Sequence, residues 1–177
     1  YSDLTFCEST QNLTLSVMSA STFWRTVIAG AIATFVMTMI AFLQSSIGLP
    51  VIDVGHILTE SFNHIHETEP YSIIWGNMAY NITGVLLALI WVALLKDSIP
   101  GNLFVQGILY GVLVSVVAGG VVSPFVSQAA GEGFGFFYTD TWVPGKVLLA
   151  GLLMHLGYGL TLMFSLKVAG ITPDKSQ

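Results

Sequence analysis

Four stretches of the chain contain no Asp, Glu, Lys or Arg: residues 26–52, 70–95, 98–131 and 147–166. None alternates polar and apolar side chains, and each can supply the roughly 20 apolar residues that a helix needs to cross a hydrocarbon core of about 30 Å. Within lipid a spanning segment must pair its own backbone N–H and C=O groups, which a helix does internally. Strands of a β-barrel would be shorter and would alternate. The pattern predicts an all-α membrane protein, a bundle of four transmembrane helices near 27–46, 73–95, 104–125 and 147–166. They form one transmembrane domain, 25–167, between an N-terminal tail, 1–24, and a C-terminal tail, 168–177. Asp3, Glu8 and the want of a basic cluster make the first tail unlike a signal peptide.

Two connecting segments have patterns of their own. In 51–66, Val54, Leu58, Phe62 and Ile65 recur at helical spacing, while Asp53, His56, Glu60, Asn63 and His64 fall on other faces. Pro50 and Pro70 bracket this segment. It predicts a short amphipathic helix after the first span, lying on the membrane surface or capping the bundle. Segment 126–146 carries the run Gly131-Glu-Gly-Phe-Gly-Phe-Phe-Tyr138, which suits an interfacial or re-entrant loop, or a surface against another subunit. Gly119-Gly120 and Pro124 predict a loosened or kinked third span.

The two halves of the chain resemble each other. Gly30-Ala-Ile-Ala-Thr-Phe-Val-Met-Thr38 aligns with Gly107-Ile-Leu-Tyr-Gly-Val-Leu-Val-Ser115, and Tyr80 and Gly84 align with His155 and Gly159. The offsets, 77 and 75 residues, allow two parallel hairpin repeats related by an axis along the membrane normal. Gly30 with Thr34, and Gly107 with Gly111, are small residues four apart, the spacing that lets helix backbones approach closely. With Gly84 and Gly159 they are the predicted helix-packing positions.

Composition agrees with the pattern. Only 8% of the 177 residues are charged, against roughly a quarter in soluble domains, and mean hydropathy is +0.78. A net charge of −5 excludes the clustered cations that nucleic-acid binding requires, so the expected partners are membrane lipids and other membrane protein subunits. Arg25, Lys96, Lys167 and Lys175 flank the spans on one side and Lys146 on the other, which predicts both termini in the cytoplasm. Trp24, Trp75, Trp91 and Trp142 fall near span ends, as an interfacial belt would have them. Cys7 is the only cysteine, so no internal disulfide forms.

Candidate chemistry is sparse. His155, near the middle of the fourth span, is the one ionisable acid, base or imidazole within a span, and such a residue is a functional candidate by default. Three roles compete for it: a hydrogen bond across helices to Asn77, Tyr80, Asn81 or Thr83, ligation of a haem or other pigment, and proton transfer or contact with a quinone headgroup. His64, His66 and Glu67 are the densest set of metal-type ligands, although two residues apart on a helix diverge. No phosphate loop, zinc-protease motif or nucleophile–base arrangement occurs, so no enzyme is predicted.

Three motifs together resemble a family of small four-helix prokaryotic integral membrane proteins with no established activity. They are Gly30-x3-Thr34, Gly48-Leu-Pro-Val-Ile-Asp53 followed by Ile57-Leu58, and Leu153-Met-His155-Leu-Gly-Tyr158-Gly159. The resemblance runs from Arg25 to Leu166 and implies the fold and a location in the prokaryotic cytoplasmic membrane. Its members carry a second histidine near the place of Tyr80 or Asn77, where this sequence departs. The leading expectation is a non-catalytic accessory subunit of a larger membrane complex of respiratory, electron-transfer or oxidase type. The alternatives are a cofactor- or proton-handling subunit using His155, with haem, lipid or quinone as its ligand, and a small oligomeric transporter.

Overall fold

The computed structural model describes residues 18–66, 72–129, 131, 133, 135–138 and 143–171, with 62–66, 72 and 138 as backbone only. Every regular element among the described residues is helical. Helix α1 is Ala20–Leu43, extended by a tight turn at Gln44–Ile47, and α2 is Val54–His66. Helix α3, Ser72–Ile90, continues through a widened π turn at Trp91–Leu95. Helix α4, Leu103–Val117, runs through a π turn at Ala118–Val122 into α5, Ser123–Ala129. A single turn at Phe136–Tyr138 precedes α6, Pro144–Val168. Four stretches are long and apolar enough to cross a membrane: Ala20–Ile47, Ile73–Leu95, Leu103–Ala129 and Pro144–Val168.

These spans match the predicted ones to within four residues at every end except the start of α1. There the Ser19 side chain accepts from Thr22 N at 3.1 Å and caps the helix, so α1 begins at Ala20, inside the stretch read as tail. Arg25 therefore lies within the helix, and its guanidinium donates to Ala169 O at 3.1 Å. That bond ties the start of α1 to the end of α6. Asn102 caps α4 in the same way, accepting from Val105 N at 3.0 Å, and Pro144 opens α6 where its missing N–H is harmless. Gly48, at φ 77°, ends the first helix in the left-handed conformation that a glycine adopts freely. The glycine pair and Pro124 act together as expected. The π turn contains Gly119 and Gly120 and makes room for Pro124, which has no N–H for a regular ladder.

In cross-section the helices follow the order α3, α1, α6, α4, with packed interfaces between each successive pair. The packing uses the predicted small residues. A β-carbon added at Gly30 would come within 3.0 Å of Val85 Cα, and one at Gly84 would overlap Thr34. In the other hairpin a β-carbon at Gly107 would come within 3.0 Å of Leu160 Cα, and one at Gly159 would overlap Gly107 and Gly111. Between the hairpins Ile40 of α1 seats its side chain over Gly157 of α6.

Helices α3 and α4, although joined by a short turn, diverge and barely touch. They meet toward the end of the bundle that carries α1's start, where Tyr110 donates to Leu87 O at 2.6 Å. The Tyr110 ring lies 4.8 Å from Trp91 and 6.3 Å from Tyr158. Trp91 corrects the interfacial-belt reading: it is 1% exposed, against 63% for Trp24 and 50% for Trp75. The π turn that begins at Trp91 carries it into the core, where its ring packs on Tyr110. Trp142 lies outside the described residues.

Helix α2 packs along α3 through small and polar residues. Gly76 is pressed against the backbone of Thr59, and Gly55 faces the Asn77 side chain. Asp53 caps α2, accepting from His56 N at 3.0 Å. Val54 and Leu58 turn toward the bundle and roof the space between α3 and α4.

Candidate functional site

The divergence of α3 and α4 leaves a cavity of about 210 Å³ in the half of the bundle nearer α2. Tyr80, Thr83, Gly84 and Leu87 of α3 form one wall, and Val114, Ser115 and Val117 of α4 another. The back is α6, with Gly151, Met154, His155 and Tyr158, together with Thr34 and Met37 of α1. Among the described residues no Asp, Glu, Lys or Arg lines it.

Among the described side chains, His155 brings the only imidazole to this lining. Its Nδ1 lies 2.7 Å from Gly151 O, one turn back on the same helix. A carbonyl only accepts, so Nδ1 carries the proton, and in the neutral ring Nε2 presents a lone pair. Nε2 has no hydrogen-bond partner among the described residues. The one fully buried side-chain polar atom there without a partner is Gln44 Oε1, so Nε2 keeps accessible surface, on a residue that lines the cavity.

This corrects the expectation of a hydrogen bond from His155 to Asn77, Tyr80, Asn81 or Thr83. Those side chains are mostly occupied on their own helix: Asn77 donates to Ile73 O, Asn81 to Asn77 O and Thr83 to Ala79 O, at 2.8–2.9 Å. Thr34 does the same to Gly30 O. Each polar group is satisfied where it stands, because a free carbonyl lone pair one turn away is nearer than any partner helix. Tyr80 behaves differently. Thr38 shares its proton between Thr34 O, at 3.1 Å, and Tyr80 Oη, at 3.2 Å. The hydroxyl of Tyr80 thus accepts from the protein and keeps its own proton.

Besides the Thr38–Tyr80 contact, two cross-helix hydrogen bonds come from tyrosines to which the sequence analysis gave no such role. Tyr158 donates to Gly84 O at 2.6 Å, linking α6 to α3 below the cavity, as Tyr110 links α4 to α3. Their placement in the middle of apolar spans is the one signal that could have found them, since a buried phenol needs an acceptor.

The Gly131-to-Tyr138 run contributes a plug. Phe137 has a positive φ of 55° and lines the cavity, and its ring lies against Gly119 so closely that a β-carbon there would overlap it. Ser123 Oγ, on α5, donates to Gly135 O at 2.8 Å and holds the approach to this turn. Phe136, its neighbour, is exposed. Glu132 and Phe134 lie outside the described residues, as does Glu67 of the metal-type cluster; His64 and His66 end α2 with only their backbone described. Among the described residues no three His, Cys, Asp or Glu side chains gather in a way that could hold a metal ion.

Compared with known proteins, the chain matches no family model, no curated protein and no solved structure.

Proposed function

We propose that this chain is an integral membrane subunit that binds a neutral, mostly apolar small molecule in the cleft between α3 and α4, with His155 as polar anchor. One observation carries the reading: Nδ1 of His155 is committed to Gly151 O, which leaves Nε2 as an acceptor facing an uncharged cavity. A histidine kept only for packing would have both nitrogens satisfied or be replaced by an apolar residue at no loss. Of the three readings drawn from the sequence, this favours the ligand-handling subunit. It is compatible with an accessory place in a larger electron-transfer complex. It favours binding over transport, because Trp91, Tyr110 and Tyr158 fill the bundle below the cavity. It favours a lipid or quinone over haem, whose acidic side groups would find no cation in this lining.

The cleft also fits a duplicated hairpin. Gly30 against Val85 Cα and Gly107 against Leu160 Cα are the same contact at offsets of 77 and 75 residues, both at 3.0 Å. In a symmetric pair, α3 would close on α4 as α1 closes on α6. The residues equivalent to Ile40 and Gly157 are Val117 and Ile82, two branched side chains where the closed interface has one and a glycine. They cannot nest, and they stay 42% and 51% exposed. In this reading both termini face the cytoplasm of a prokaryotic cell, as the flanking Arg25, Lys96 and Lys167 favour.

The test is extraction of the purified protein's bound apolar molecules with organic solvent, followed by mass spectrometry. Wild type should retain a defined species in near-stoichiometric amount, depleted at least fivefold in His155→Leu and in the cavity-filling Ala118→Phe. Equal retention by all three would overturn the site.

A further inference from the structure

We infer that the ligand of this cleft is a para-quinol, its ring inside the cavity and its tail leaving between α3 and α4. The inference rests on the cleft site proposed above and adds the chemistry of the headgroup.

Size comes first. An apolar cavity of about 150 Å³ accommodates a benzene molecule. A volume of about 210 Å³ therefore takes a substituted six-membered ring and excludes a long tail. There is room beside the anchor, where a β-carbon on Gly151 would meet only Ile52 Cδ1, at 3.8 Å. The tail has an exit because α3 and α4 do not close on one another.

Polarity narrows the class further. Two walls of the cavity carry polar groups of opposite sense. On α6, Nε2 of His155 accepts, because Nδ1 already donates to Gly151 O. On α3, Tyr80 retains a proton to donate, because its oxygen is already accepting from Thr38. A ring with oxygens at opposite edges uses both: a quinol O–H donates to Nε2, and the other oxygen accepts from Tyr80. A fatty acid would bring a negative charge into a lining without Lys or Arg. A single-oxygen alcohol satisfies one group and leaves the other unpaired, and a hydrocarbon leaves both, which is the more unfavourable outcome for desolvated polar groups. Ser115, on the α4 wall, offers a hydroxyl to a ring substituent.

The experiment uses the full chain in phosphatidylcholine nanodiscs, with titrations corrected for partition into empty discs. Four probes share one short tail: a benzoquinol kept reduced, the benzoquinone, the di-O-methyl ether of the quinol, and a phenyl hydrocarbon. The quinol should bind about tenfold more tightly than its ether, the value of one to two neutral hydrogen bonds. His155→Leu should erase that ratio, and Tyr80→Phe should weaken the quinone three- to tenfold while leaving the hydrocarbon unchanged. Equal affinity for quinol and ether overturns the quinol assignment, while binding of all four leaves the cleft standing. No binding of any probe, the hydrocarbon included, overturns the cleft as well. If His155→Leu does not fold, the quinol-to-ether ratio of the unaltered chain decides alone.

Discussion

The contact between Gly84 and Thr34 gives the most direct test of how the first hairpin is packed. A β-carbon at Gly84 would overlap the Thr34 hydroxyl and lie 3.0 Å from its Cβ and 3.1 Å from its Cγ2. Rotating Thr34 moves the hydroxyl aside but abandons its 2.8 Å bond to Gly30 O, and the Cβ cannot move without the backbone. Gly84→Ala must therefore push α1 from α3 or break that bond. Overpacking of this kind costs about 1–3 kcal/mol. Alanine's better helix propensity offsets about 0.5–1 kcal/mol of it. The expected net loss is about 1–2 kcal/mol, read from reversible unfolding in mixed detergent and SDS micelles. The second hairpin has glycines at both corresponding places, Gly111 and Gly159, which suggests the rescue. With Thr34→Gly in the background, Gly84→Ala should be neutral or stabilising, a coupling of about 2 kcal/mol between the two sites. Additive losses, with no coupling, would refute the close contact and the correspondence drawn between the hairpins.

Two further outcomes are expected. Tyr158→Phe and Tyr110→Phe keep their rings but lose the bonds to Gly84 O and Leu87 O, so each should lower stability by about 0.6 and at most about 1.7 kcal/mol in the same unfolding assay. No loss from either would mean that these hydroxyls do not join the helices. Phe137→Gly relieves a positive φ worth about 1 kcal/mol or more while removing the plug. In a Cys7→Ser background, a cysteine at Ala118 should then react severalfold faster with an apolar maleimide, and an unchanged rate would deny Phe137 its role as a stopper.

The spans were legible because charge is so unfavourable in hydrocarbon that its absence over 20 or more residues nearly marks the helix. The boundary missed at α1 has the same cause, since Arg25 interrupts the window although not the helix, whose start is set by the Ser19 cap. Gly30, Gly84, Gly107 and Gly159 were legible because only small residues let helices approach. Which helix faces which was not. Every lipid-facing side is as apolar as the core, so spacing alone could not reveal that α1 and α6 close while α3 and α4 part. Trp91 shows this plainly: by position it belongs to the interface, and by burial to the core. His155 stood out from the sequence, but its tautomer depends on the Gly151 carbonyl, a contact made only in the folded helix.

The habit of the polar side chains to bond back onto their own helix also bears on how the protein is made. Thr26, Thr34, Asn77, Asn81, Thr83 and His155 all find a carbonyl one turn behind them. Each helix can thus enter the bilayer alone, during synthesis, without waiting for a neighbour to shield its amides and hydroxyls. What remains for the later step, when inserted helices find one another, is chiefly the fit of glycines and a few bonds between helices, from Arg25, Thr38, Tyr110 and Tyr158. Assembly of this bundle is therefore chiefly a matter of shape, and a substitution at a glycine should leave an inserted but unassembled chain rather than one rejected by the membrane.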